Sequence, residues 1–149
     1  VIVQVAGQHA GMNRTYRAVP GDYAGNTPAQ VDTPMRPSLQ SLRLIVLVNG
    51  KTGAGAEALA KTLQESRKAL ILGLPTSGLA SIETILPLEP DTALKLTTGA
   101  MTSPSGVSWQ GQGVVPDVLV NAGGREKGGF GDVPTDLQLM AAIAQLQRP

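Results

Sequence analysis

The stretch from Leu44 to Glu57, LIVLVNGKTGAGAE, constrains the fold of this 149-residue chain more than any other. Leu42 to Val48 is an almost continuous apolar run, the pattern of a central strand buried on both faces. A turn of small residues follows. Ala56, Leu59, Ala60 and Leu63 then recur at helical spacing while Lys61, Gln64, Glu65 and Lys68 take the other side, which predicts a helix over 54–68. Ala69 to Leu72 supplies the next strand, so strand, helix and strand make a crossover with parallel strands and the chain reads as α/β. A strand that turns sharply into a helix is where many enzymes present a nucleophile. Here the turn carries Ala54, with no serine or cysteine beside it.

The remaining segments fit one domain over residues 1–149. Val1 to Val5 and Arg14 to Val19 read as a hairpin. Residues 20–41 form a long Pro- and Gly-rich loop, and a loop of that length is expected to be functional, mobile or both. Ile82 to Leu88 and Ala93 to Thr98 have hairpin spacing across a Pro-Asp turn. Val114 to Val120, interrupted by Pro116, reads as an edge strand because proline cannot donate to a central ladder. Residues 123–133 read as a flexible linker before a terminal helix from Pro134 to Gln147, with Leu137, Met140, Ala141 and Ala144 along one face.

Composition narrows the function classes. Hydrophobic residues make up 42% of the chain and charged residues 15%, a globular balance. With only four aromatic residues and a net charge of +1 from scattered Lys and Arg, neither base stacking nor a polyanion footprint is expected. Peptides, proteins or small molecules are the expected partners. No run of 18 apolar residues is present, so no membrane insertion is expected. The absence of cysteine excludes disulfides and a thiol nucleophile. A chain that opens on Val-Ile-Val in mid-strand reads as a fragment or processed piece.

Individual motifs weigh against several chemistries. Gly50-Lys51-Thr52 ends like a phosphate-binding P-loop, but the glycine required five positions earlier is Ile45, inside the strand. His9, the single histidine, reads as a solvated loop residue without a triad motif around it. The carboxylates have no EF-hand spacing, and no metal or cofactor is expected. Ser77, Ser81, Ser103, Ser105 and Ser108 are explained by turn chemistry, and any of them would need a base within reach to act as a nucleophile.

Several segments, in order and spacing, resemble the C-terminal processing (tail-specific) serine peptidase family. They are Asn49 to Glu57 before the helix, Gly73 to Leu88, Ala93 to Thr98, Thr102 to Gly106, Gln110 to Asp117, and the helix beginning near Asp136. The resemblance implies a crotonase/ClpP-like peptidase core, an αβ spiral with a central parallel or mixed sheet, incomplete at the N-terminal side. It also implies a periplasmic or otherwise exported location, and a serine nucleophile activated by a lysine with a nearby glutamine. The positions matching those three are Ala54, three residues before Glu57; Leu79, after Gly78; and Glu83. A methyl group cannot attack a carbonyl and an isobutyl group cannot accept a proton. The Gly55 backbone N–H is left as half an oxyanion hole, and Leu74, Ser77, Gly78 and Ser81 are peptide-groove candidates.

These residues imply a catalytically silent domain that binds peptides or unfolded protein C-termini, adding them to a sheet edge near Leu74 to Ser81. Uncovered strand edges imply a homo-oligomer or pairing with a missing upstream segment. The alternative is an active serine endopeptidase cleaving exported proteins near their C-termini, with Ser77 or Ser81 as nucleophile and Lys51 as base.

Overall fold

Two sheets share one helix. The computed structural model describes residues 1–8, 10–19, 22, 41–121 and 135–148. Its elements are β1 (Val3–Gly7), a 3-10 turn (Ala10–Met12), β2 (Arg14–Tyr16), β3 (Leu44–Val48), α1 (Gly55–Glu65), β4 (Ala69–Gly73), β5 (Ser81–Glu89), β6 (Thr92–Thr102), β7 (Val118–Leu119) and α2 (Leu137–Leu146). One sheet is antiparallel in the order β2-β1-β6-β5; the other is parallel in the order β3-β4-β7. The expected loop over 20–41 and the linker over 123–133 fall outside the described residues, apart from Asp22 and Ser41.

The strand and helix on either side of the small-residue turn form as expected, with β3 and β4 parallel from Leu44 opposite Ala69 to Val48 opposite Gly73. The burial expected of β3 is corrected. Among the described residues it lies at the edge of its sheet, and Leu44 and Leu47 remain 46% and 36% exposed. The central strand is β4, where Ile71 and Leu72 are fully buried.

The buried face of α1 is also corrected: Glu57, Ala58 and Ala60 are buried, whereas Leu59 is 53% exposed. Ala58 packs with Ala80, Trp109 and Val114 beside Val3 and Met101; Ala60 packs with Val48 and Ile71 beside Val46 and Ala69. The helix therefore lies at the seam of the two sheets, where small side chains allow close approach. It ends earlier than residue 68. Arg67 enters the left-handed region at φ 53°, and the N–H groups of Arg67 and Lys68 return to the carbonyls of Gln64 and Leu63. That paired closure satisfies carbonyls the helix would otherwise leave open.

β5 and β6 run longer than the hairpin spacing suggested and are joined through Pro90 and Asp91, the latter at φ 69°. Pro116 shortens the third strand of the parallel sheet to β7. The ladder begins instead at Asp117, whose N–H donates to the Ile71 carbonyl at 2.8 Å and whose Oδ2 accepts the Ile71 N–H at 2.7 Å. On α2 the buried residues are Gln138 and Ala142, four apart, and Leu137 and Met140 face outward, reversing the expected face. Arg43 anchors the far end of α2 through its guanidinium, which donates to the carbonyls of Gln145, Leu146 and Arg148.

Candidate functional site

The turn between β3 and α1 is built by its own backbone and short polar side chains. The Thr52 N–H donates to the Asn49 carbonyl at 2.9 Å, Thr52 Oγ1 accepts the Asn49 N–H at 3.1 Å, and Asn49 Oδ1 accepts the Lys51 N–H at 2.9 Å. These bonds fold the chain back before the helix. Ala54 then adopts φ 51°, ψ −119°, a conformation glycine takes freely and a Cβ-bearing residue takes at a cost of about 1–3 kcal/mol. Its methyl group is exposed at the helix N-terminus, and the adjacent Gly55 N–H has no partner among the described residues.

Glu57 holds this turn against the loop that follows β4. Its carboxylate is fully buried and faces four strong donors. Oε2 accepts the Ala54 N–H at 2.9 Å and the Leu79 N–H at 2.8 Å. Oε1 accepts the Gly78 N–H at 2.7 Å and the Thr76 hydroxyl. Burial pushes the Glu57 carboxyl up, and these hydrogen bonds, led by Thr76, together outweigh it and hold the group below the usual carboxylate range. A buried carboxylate without a cation is tolerable because its lone pairs are filled by oriented donors.

Thr76 extends the clamp to a third segment, since its Oγ1 also accepts the Val114 N–H at 2.6 Å. Gly113 at φ 75° passes so close to the Thr76 carbonyl that a Cβ there would collide with it, and a Cβ built on Gly78, at φ 77°, would lie 3.0 Å from the backbone of Gly111. Gln110 adds its side-chain oxygen to the Ala80 N–H at 2.7 Å.

The residues singled out from the sequence separate into two groups. Ala54 and Leu79 are brought together: both backbones meet on Glu57 Oε2, and a Cβ built on Gly53 would lie 3.2 Å from Leu79 Cδ1. Glu83 stands apart on an exposed stretch of β5 in an ion pair with Lys95. Ser77 Oγ donates to the Thr52 carbonyl at 2.8 Å and lies 3.5 Å from Glu57 Oε2. Ser81 opens β5 opposite Ala100, and the exposed Lys51 side chain reaches neither serine. His9 lies outside the described residues.

The groove candidates Leu74, Ser77, Gly78 and Ser81 lie on or beside a loop whose N–H groups are already committed. Those of Leu74, Thr76 and Ser77 go to the carbonyls of Val48, Val114 and Thr52; Gly78 and Leu79 go to Glu57, and Ala80 to Gln110. Of the loop's carbonyls, those of Gly78 and Ala80 already accept the N–H groups of Gly111 and Met101, at 2.9 and 2.6 Å. The role of Glu57 was missed from sequence. Its only signal is an acidic residue at the third position of a helix, where it caps the preceding N–H; the Thr76 to Leu79 half of its contacts comes from about twenty residues away.

A parallel strand-turn-helix with a strained elbow, backed by a buried carboxylate that clamps it to the loop after β4, forms the centre of a mixed α/β core. The comparisons agree. The profile of peptidase family S41 matches residues 1–120, and the chain belongs to that family. A carboxy-terminal-processing protease of Bartonella bacilliformis is 44% identical over 77 residues, 52% of this chain and 18% of that protein. A chloroplastic C-terminal processing peptidase of Tetradesmus obliquus is 37% identical over 78 residues, 52% of this chain and 17% of its own length. The chain thus spans under a fifth of these relatives.

Among solved structures, the photosystem II D1 C-terminal processing protease superposes with a TM-score of 0.50 at 34% identity, covering 54% of this chain and 21% of that one. An S41 protease structure from Bacteroides fragilis superposes over 97% of this chain and 36% of its own with a TM-score of 0.70; at 17% identity it speaks for the fold alone. The fold is the mixed α/β peptidase core expected from the sequence.

Proposed function

We propose that this chain is a catalytically silent C-terminal-processing-peptidase domain that binds peptides or unfolded protein C-termini in an exported or lumenal compartment. The observation that carries the reading is the pairing of Ala54 with Leu79 on Glu57: the backbone N–H groups of both meet on one carboxylate oxygen, while the side chains at the two positions are a methyl and an isobutyl group. Neither can attack a carbonyl or move a proton. The compartment is inferred from relatives, two of which carry names that mark them as C-terminal processing enzymes, one of them chloroplastic.

The hydrogen bonds of the alternative nucleophile support the same reading. Ser77 Oγ spends its proton on the Thr52 carbonyl, and the nearest carboxylate, Glu57, is held acidic by donors and makes a poor base. A bound peptide would offer its own N–H groups to the loop carbonyls between Leu74 and Leu79 other than that of Gly78, which already accepts the Gly111 N–H, with apolar side chains against Leu79, which is 50% exposed. Fluorescence anisotropy of a labelled unstructured peptide ending in apolar residues tests this. Saturable binding that leaves the peptide intact is expected. Cleavage of the peptide, or no saturation up to millimolar protein, would overturn the reading.

A further inference from the structure

Asn49 and Gly50 form the single Asn-Gly step of the chain, and the fold places it in the turn that leads from β3 into the elbow. Asn49 Oδ1 accepts the Lys51 N–H at 2.9 Å, which folds the carboxamide forward over the intervening Gly50 amide. The Asn49 backbone is pinned on either side of that side chain: its N–H donates to Thr52 Oγ1 at 3.1 Å and its carbonyl accepts the Thr52 N–H at 2.9 Å. Both residues are exposed, and among the described residues neither Asn49 Nδ2 nor the Gly50 N–H has a hydrogen-bond partner. Gly50 also carries no Cβ to shield its nitrogen.

We infer that this step is a site of self-modification, where the Gly50 nitrogen attacks the Asn49 carboxamide in the folded chain and converts Asn49 to a mixture of aspartate and isoaspartate. Hydroxide removes the Gly50 amide proton and the nitrogen forms a bond to Asn49 Cγ. The Cγ–Nδ2 bond breaks, solvent returns a proton to Nδ2, and ammonia leaves behind a five-membered succinimide. Water then adds to one of the two ring carbonyls and reopens the ring. Opening at Cγ restores the ordinary main chain with an aspartate side chain; opening at the Asn49 main-chain carbonyl routes the backbone through Cβ and Cγ as isoaspartate. The sum is one water consumed and one ammonia released, with nothing oxidised or reduced.

Two features of the turn favour the attack. Nitrogen and carboxamide are held together by one short stretch of folded backbone, so no encounter has to be paid for in the transition state. The Lys51 N–H already points at Oδ1, where negative charge develops in the tetrahedral intermediate. Asn13, also exposed, lacks this arrangement: its Oδ1 accepts the Gly7 N–H at 3.0 Å, and the residue that follows is Arg14, which bears a Cβ and opens β2. Isoaspartate at position 49 adds a methylene to the main chain between β3 and the elbow, so it displaces the bonds to Thr52 and loosens the turn that Glu57 holds from the other side. The inference does not depend on the peptide-binding reading.

Peptide mapping by mass spectrometry, on folded chain kept in mildly alkaline buffer over several weeks, tests it. Position 49 is expected to lose its amide with first-order kinetics and to yield both aspartate and isoaspartate, while Asn13 keeps its amide. Gly50→Ala is expected to slow the loss at least tenfold. A methyl group fits there, since the nearest atom to a Cβ on Gly50 is the Pro75 carbonyl oxygen at 3.9 Å, and circular dichroism checks that the variant is folded. Asn49 that stays intact, or converts no faster than Asn13, would overturn the proposal. So would aspartate as the sole product, or an unchanged rate in Gly50→Ala, since either means direct hydrolysis by water.

Discussion

Glu57 Oε2 lies 2.8 Å from the Leu79 amide nitrogen, joining the third residue of α1 to the loop after β4 across 22 positions of sequence. The same oxygen takes the Ala54 N–H, so one carboxylate fixes the backbones of both positions that resemblance assigns to the family's nucleophile and base. The scaffold of the site is thus held by Glu57.

Removing that carboxylate unclamps the turn and loop together. Glu57→Ala leaves the Ala54, Gly78 and Leu79 N–H groups without their acceptor in a buried setting, at a cost of about 3 kcal/mol or more. Glu57→Gln keeps one oxygen but turns an NH2 group towards two donors, so it also destabilises, by less. Urea denaturation of the two variants against the parent chain measures both losses, and a change below about 0.5 kcal/mol for Glu57→Ala would contradict the clamp.

The backbone at Ala54 is strained, and glycine relieves it. Ala54→Gly is expected to raise stability by up to about 1 kcal/mol, the relief exceeding the added freedom of the unfolded chain. Ala54→Val is expected to lower it, since a β-branched side chain tolerates φ 51° less well. Melting temperatures in the order Gly, Ala, Val check the conformation directly.

Acid should unfold the chain through its hydrogen-bonded carboxylates, the buried Glu57 and the half-buried Glu65. Burial pushes Glu65 up, and the hydroxyls of Ser103 and Ser105, the Ser105 N–H and Lys61 together pull it below its ordinary range, as donors do for Glu57. For both groups the unfolded chain binds protons more readily than the folded one. Their contribution is therefore complete above the ordinary glutamate range of about 4–4.5 and is lost as pH falls through the lower folded values. Stability measured between pH 7 and pH 3 is expected to stay level and then drop below about pH 5, with a shallower drop in Glu57→Gln.

Much of the fold was legible because local pattern and tertiary environment agree there. The apolar run to Val48, the small-residue turn and the alternating helix give β3, the elbow and α1 within a few residues, and Pro90-Asp91 between two apolar stretches marks the β5–β6 hairpin. Burial was less legible. An all-apolar run reads the same at the centre of a parallel sheet or at its edge, and β3 proved to be an edge. On α1 the buried face follows small residues and Glu57 in preference to Leu59, because the seam between two sheets admits alanine and the loop supplies donors to the acid. The long-range half of the site, from Thr76 to Leu79 and on to Val114, has no local signal.

Arg43 offers a test of how α2 is held. Its guanidinium donates to three carbonyls at the helix C-terminus, where a cation also complements the helix dipole. In this exposed setting Arg43→Ala is expected to cost about 1 kcal/mol or less and to speed hydrogen exchange selectively in Leu137–Leu146. Equal protection of α2 in the variant would contradict the anchoring role.

Silence of the site is the central claim, and a cleavage assay on unfolded protein tests it most directly. The purified chain, incubated with a reduced, unfolded substrate bearing an apolar C-terminus and followed by mass spectrometry, is expected to produce no fragments above the protein-free control. Turnover that disappears in Ser77→Ala or Ser81→Ala would contradict it.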